Sequence, residues 1–206
     1  MSQYFEIHPE NPQPRLIRQA VDIIRGGGVV VVPTDSSYAL ACHLDDKSAV
    51  ERIRRIRELD KKHNFTLVCR DLSELATYAR VDNTAYRLLK AHTPGPYTFL
   101  LRATAIVPRR LQHPKRKTVG IRVPDHPVIA DLLIEHGQPL MSSTLILPGN
   151  DFPETDAYDI REKLEQQVDL IIDGGHCGVE PTTVVDLTDA VPEVIRRGKG
   201  STEGLE

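Results

Sequence analysis

Aromatic residues make up only 5% of this 206-residue chain, and its three cysteines, Cys42, Cys69 and Cys177, lie far apart with no CxxC pair. An odd, scattered set of thiols excludes a disulfide framework and a zinc ribbon, so they read as reduced. No long apolar run supplies a membrane span, and the N-terminus carries no signal-peptide pattern; the expected compartment is the cytoplasm, with no membrane partner. The scarcity of aromatics leaves no RRM, KH or similar RNA motif with interleaved rings. Three glycines do run together at Gly26, Gly27 and Gly28, but between a helix and the next strand. A dinucleotide fingerprint needs its glycines in a strand-to-helix turn, so NAD is set aside.

What is present fits one globular unit, taken as a single domain over 1–206. The hydrophobic share is 40% and the charged share 27%, enough for one sizeable core. The net charge of -3 is small, but its distribution is uneven: 109–122, RRLQHPKRKTVGIR, holds six basic residues and no acid, whereas 150–173 holds eight acids against Arg161 and Lys163. The first segment offers a positive face for anions. A solvated loop beside a solvated acidic helix is the alternative.

The stretch VVVVPTDSSYALAC begins with four valines. A β-branched run of this kind reads as a strand covered on both faces, and the polar residues after it then sit at the sheet's end, where open α/β sheets bind ligands. A plain turn accounts for Pro, Asp and Ser equally well. Before it, Pro14 opens a helix with Leu16, Ile17, Ala20, Val21 and Ile24 on one face. After it, Asp46 or Ser48 caps a second helix, and Asp71 and Asp82 cap the next two. FTLVC, YTFLLR, TVGIRV, PLMSSTLI, VDLIID, TTVVDL and EVIRR read as strands, with helices at HPVIADLLIEH and 157–167. The alternation is α/β, and 199–206 reads as a flexible tail.

PTDSSYALA, TPGPYTFLL, TVGIRVPDHP, LIIDGG, PTTVVDL and VIRRG, in this order, resemble the successive motifs of the YrdC/YciO-like family, which includes the threonylcarbamoyl-AMP synthases of tRNA modification. The resemblance runs from about 12 to 198, and RIRELDKKHNFTLVCRDLSEL and SSTLILPG are similar to the versions of the YciO branch. It implies a twisted, open, mixed sheet with flanking helices and a concave basic face. It also implies a reaction in which L-threonine, bicarbonate and ATP, with Mg²⁺, give threonylcarbamoyl-AMP and pyrophosphate. Double-stranded RNA or tRNA held by Arg109, Arg110, Lys115, Arg116 and Lys117 is the alternative, with affinity from phosphate contacts.

The resemblance implies catalytic roles for Arg57 and Arg122. Guanidinium binds carboxylate or phosphate bidentately, although a structural ion pair of Arg122 with Asp125 or another acid competes. Thr34, Tyr38, Lys62, Asn64, Thr66, Ser142, Thr144, Thr183 and Arg196 are the implied nucleotide- and substrate-binding positions. Without the motif, Tyr38 reads as an edge-of-core tyrosine. Two positions depart from the synthase pattern: a Lys-x-Arg pair becomes Arg57, Glu58, Leu59, and a Ser-x-Asn set becomes Thr144, Leu145, Ile146. One cation and one amide are lost, and Lys61, Lys62 or His63 is the candidate replacement charge. His43 with Asp45 and Asp46 reads as a helix-capping turn rather than a metal site, and the adjacent His176 and Cys177 lack a third catalytic group.

Overall fold

The computed structural model describes residues 1–60, 63 and 65–206. Ten strands form one open mixed sheet in the order β1-β8-β2-β3-β7-β4-β6-β5-β9-β10. The strands are β1 (Gln3–Glu6), β2 (Val30–Val32), β3 (Ala39–His43), β4 (Thr66–Val68), β5 (Tyr97–Arg102), β6 (Thr118–Arg122), β7 (Leu140–Thr144), β8 (Leu170–Asp173), β9 (Thr183–Asp186) and β10 (Glu193–Arg196). Six helices flank them: α1 (Pro14–Arg25), α2 (Lys47–Arg57), α3 (Leu72–Tyr78), α4 (Asn83–His92), α5 (Pro127–His136) and α6 (Ala157–Leu164). No helix among the described residues is long and apolar enough to cross a membrane.

The valine run is covered on both sides. Val29 and Val31 join one core cluster and Val30 and Val32 the other, as the two-residue period of a strand requires. The expected caps are in place: Asp46, Asp71 and Asp82 accept from the backbone N–H of Ala49, Glu74 and Ala85, each at 2.8 Å. Each such cap stabilises its helix by about 1 kcal/mol. α1 stops where Gly28 packs so close to Ile23 that a Cβ would lie 2.5 Å from its side chain.

The two faces of the sheet are dressed differently. One carries α2, α3, α4 and α6, whose apolar residues reach strands along most of the sheet. The other carries α1 and α5, and their cluster takes strand residues from β8, β2, β3, β7 and the Val68 end of β4, with none from β5, β6, β9 or β10. That half of the face therefore lacks a helical cover.

Two features differ from expectation. β1 and β3 are strands for which the sequence reading had no element. The segment after Gly198 is not a loose tail: the Thr183 hydroxyl donates to the Gly200 carbonyl at 2.6 Å, the Tyr97 hydroxyl donates to the Ser201 carbonyl at 2.9 Å, and Leu205 is 3% exposed. Glycine is needed at 200 because a Cβ would meet the Tyr97 ring at 2.5 Å. All three cysteines are buried and free.

Candidate functional site

A groove of about 360 Å³ occupies the uncovered half-face. Its floor is a row of small residues on neighbouring strands, with Thr66 paired to both Gly120 and Ser142. Thr98 of β5 adjoins them. A Cβ at Gly120 would press on the Thr66 hydroxyl and the Thr98 methyl at 3.3 Å, so glycine keeps the floor low.

Arg57 stands at the β7 side. It is the last residue of α2, and Glu58 ends that helix in the left-handed region at φ 53°. The Arg57 guanidinium donates from Nη1 to the Ser143 hydroxyl at 2.6 Å and from Nε to the Ile146 carbonyl at 3.1 Å. Arg196 stands at the β9 side, where it donates from Nε and Nη2 to the Thr182 carbonyl at 3.0 and 2.8 Å. A register shift between Val194 and Arg196 lets Ile195 and Arg196 both face the groove. Burial alone lowers the pKa of each arginine from the ordinary guanidinium value, with no carboxylate contributing to either. Among the described residues neither partly desolvated cation has a carboxylate partner, and β7 and β9 are four inter-strand spacings apart, roughly 19 Å along the sheet. This spacing suits an extended anionic ligand.

Arg57, Thr66, Ser142, Thr144 and Arg196 therefore come together as the resemblance implies. Thr183 does not. It is fully buried and bonded to the 198–200 segment, and its neighbour Thr182 lines the groove, because alternate residues of a strand face opposite sides. The Thr182 hydroxyl is 2.8 Å from that of Thr98 and accepts from Arg196 Nη2 at 3.0 Å. Attention to this parity, with Val185 in the core, identifies Thr182 from sequence.

Thr34 and Tyr38 also lie off the groove lining. Thr34 Oγ1 accepts from the N–H of Ser36 and Ser37 and donates to the Ser37 carbonyl at 2.6 Å, which makes it the organiser of a turn. Tyr38 is fully buried, with its hydroxyl donating to the Gly175 carbonyl at 2.5 Å, so the edge-of-core reading describes its packing. Arg122 is 6% exposed and ion-paired with Asp35, not Asp125; its Nη1 donates to Ser36 at 3.3 Å and its buried Nε has no partner among the described residues.

Lys61, Lys62 and Asn64 fall outside the described residues. His63 lines the groove, and burial, then Arg57 and Arg54, lower its pKa against the pull of Asp60 and so disfavour its cationic form. Ile146, at the position of the missing amide, also faces the groove. In the basic segment Arg109, Arg110, Lys115, Arg116 and Lys117 are all exposed, and of these Arg110 donates to the Leu44 carbonyl and Arg116 to Asp186 and Thr188.

Away from the groove, Asp46 is the α2 cap, while His43 Nδ1 meets His136 Nε2 at 3.0 Å. The buried His136 has a pKa lowered to about 4, by desolvation first, then by His43 and Arg25. Cys177 is buried, with its thiol on the Thr34 carbonyl at 3.8 Å. No three His, Cys, Asp or Glu side chains among the described residues are grouped to hold a metal ion.

The arrangement defines an α/β domain whose sheet carries, on its uncovered half-face, a groove flanked by Arg57 and Arg196. Residues 22–198 match the Sua5/YciO/YrdC family model, described as telomere recombination, and the chain belongs to this family. It is 59% identical over 203 residues to the uncharacterized protein YciO of Escherichia coli K12, with 98% of both chains covered. It matches the crystal structure of E. coli YciO with a TM-score of 0.95 over 98% of each chain. The family includes threonylcarbamoyl-AMP synthases: that of Vibrio vulnificus is 30% identical over 161 residues, covering 77% of this chain and 86% of its own. The structure of Pyrococcus abyssi Sua5 complexed with L-threonine matches with a TM-score of 0.88 at 28% identity, covering 96% of this chain and 58% of that one.

Proposed function

We propose that the chain is an adenylate-forming enzyme of the threonylcarbamoyl-AMP synthase type, taking MgATP, bicarbonate and L-threonine and releasing pyrophosphate. The observation that carries this reading is the pair Arg57 and Arg196, two partly buried cations without carboxylate partners among the described residues, at the two sides of one groove. A cation of this kind holds phosphate oxygens and stabilises the charge that develops at the α-phosphorus, and the width between the two leaves room for the rest of the nucleotide. The hydroxyls of Thr66, Ser142 and Thr144 supply uncharged contacts for the rest of the substrate. Mg²⁺ enters with the nucleotide, held largely by its phosphates and water. Ile146 brings an apolar side chain where an amide would hydrogen-bond, and losing one oriented donor of that kind lowers turnover by roughly a hundredfold.

Mass spectrometry of a mixture of the protein with ATP, Mg²⁺, bicarbonate and L-threonine tests the reading. Threonylcarbamoyl-adenylate is expected with the wild-type chain and not with Arg57→Ala. A wild-type chain that binds ATP but forms no product rejects the enzymatic part.

A second reading, binding of double-stranded RNA or tRNA, draws support from the exposed Arg109, Lys115 and Lys117. Affinity for an RNA duplex that is insensitive to salt between 50 and 200 mM, roughly the range over which phosphate contacts weaken strongly, rejects it.

A further inference from the structure

The groove is chemically two-sided. Its β7 and β4 side holds the polar residues Arg57, Ser142, Ser143, Thr144, Thr66 and His63, with Phe65 and Ile146 at its margin. Its β5, β9 and β10 side presents three apolar side chains, Leu100, Val184 and Ile195, on adjacent strands of one face. Ile195 is 51% exposed there, although the β10 bulge turns it toward the groove rather than away from the molecule.

The polar groups flanking this strip already have partners. The Thr98 and Thr182 hydroxyls bond to each other, and Arg196 donates to Thr182. Asp186, one register position beyond Val184 on the same face, accepts from Arg116, from the Thr188 hydroxyl and from the Thr188 N–H. The strip therefore offers apolar contact beside a cation, with its neighbouring hydroxyls and carboxylate engaged within the protein.

We propose that Leu100, Val184 and Ile195 seat the base of the nucleotide by its face, and that this seat does not read the base's hydrogen-bonding edge. The inference rests on the nucleotide reading given above and specifies its substrate class: purine nucleoside triphosphates in general rather than ATP alone. A site that hydrogen-bonds a ligand group rejects analogues lacking it by roughly 10⁴-fold or more, whereas an apolar surface discriminates weakly. Phosphate affinity comes from the arginines and is shared by all the triphosphates.

Calorimetric titration of the full chain with MgATP, MgGTP and magnesium tripolyphosphate tests this, repeated with Ile195→Ser. ATP and GTP are expected to bind within about fivefold of each other, because the strip gives similar apolar contact to either purine. Ile195→Ser is expected to weaken both by roughly tenfold and to leave tripolyphosphate affinity unchanged, which a general structural defect would not do. A preference for ATP over GTP of roughly a hundredfold overturns the proposal while leaving the nucleotide reading intact. An equal loss for tripolyphosphate and nucleotides in Ile195→Ser overturns the seat. Failure of every nucleotide to bind the wild-type chain overturns both.

Discussion

Arg122, at the end of β6, and Asp35, in the loop after β2, form a buried ion pair although β3, β7 and β4 lie between their strands. Asp35 also accepts from the Asp125 N–H at 2.8 Å, and Lys199 donates to its carbonyl. The pair ties together parts of the sheet that pairing in the ladder keeps apart. Desolvation pulls the pKa of Arg122 down and Asp35 pushes it back, so the carboxylate offsets part of the cost of burying this cation.

Asp35→Asn is expected to lower stability by about 3–5 kcal/mol, since it leaves the Arg122 cation buried without its partner. Urea unfolding measures this as a lower midpoint at similar slope. A change below about 1 kcal/mol would mean that the pair is solvated in solution.

Acid should weaken the fold through His136. Its pKa is lowered to about 4 in the folded state, below the ordinary value of 6.5. Above pH 6.5 it is neutral in both states and contributes no pH dependence. Between 6.5 and about 4 the unfolded chain binds a proton that the folded chain refuses, so stability is lost as the pH falls through this window, by up to about 3 kcal/mol. The measurement is unfolding free energy against pH for wild type and His136→Gln, and the variant should show a flatter curve over this window.

Arg57→Lys should fail to restore ligand binding. The arginine fork reaches the Ser143 hydroxyl and the Ile146 carbonyl together, and an ammonium lacks that geometry. MgATP affinity is expected to drop roughly tenfold or more, with little change in thermal midpoint. Equal affinity of the two proteins in calorimetry would remove Arg57 from the anion site.

Truncation after Gly198 should destabilise the chain by about 2–4 kcal/mol, from the exposed Leu205 cavity and the lost partner of the Thr183 hydroxyl. Thermal unfolding of the shortened chain checks it. An unchanged midpoint would mean that 199–206 packs without contributing.

The sheet core and three helix caps are legible in the sequence because local rules govern them: the valine run, Asp46, Asp71 and Asp82 act within a few residues. β1 escapes because QYFE is a half-exposed edge strand held by its parallel partner β8 rather than by a hydrophobic period. β3 escapes because ALACH directly follows turn residues and is too short for a clear pattern. Arg57 and Arg196 follow from the resemblance, but their lack of carboxylate partners is visible only in three dimensions. Thr183 in place of Thr182 is an error of one register position, which turns a side chain from one face to the other. The tail was misread because glycines that signal flexibility also permit close packing, as Gly200 does against Tyr97.

The burial of Cys42, Cys69 and Cys177 also governs how the folded protein meets reagents. Desolvation pushes the thiol of Cys42 up to about 12, that of Cys177 to about 11, and that of Cys69 well above its usual value. Thiolate is the reactive form, so alkylation at neutral pH has to wait for the chain to open around each sulfur. The three sites lie at the end of β3, just past β4, and in the loop after β8. Their separate labelling rates would report whether these parts of the sheet open together or one at a time.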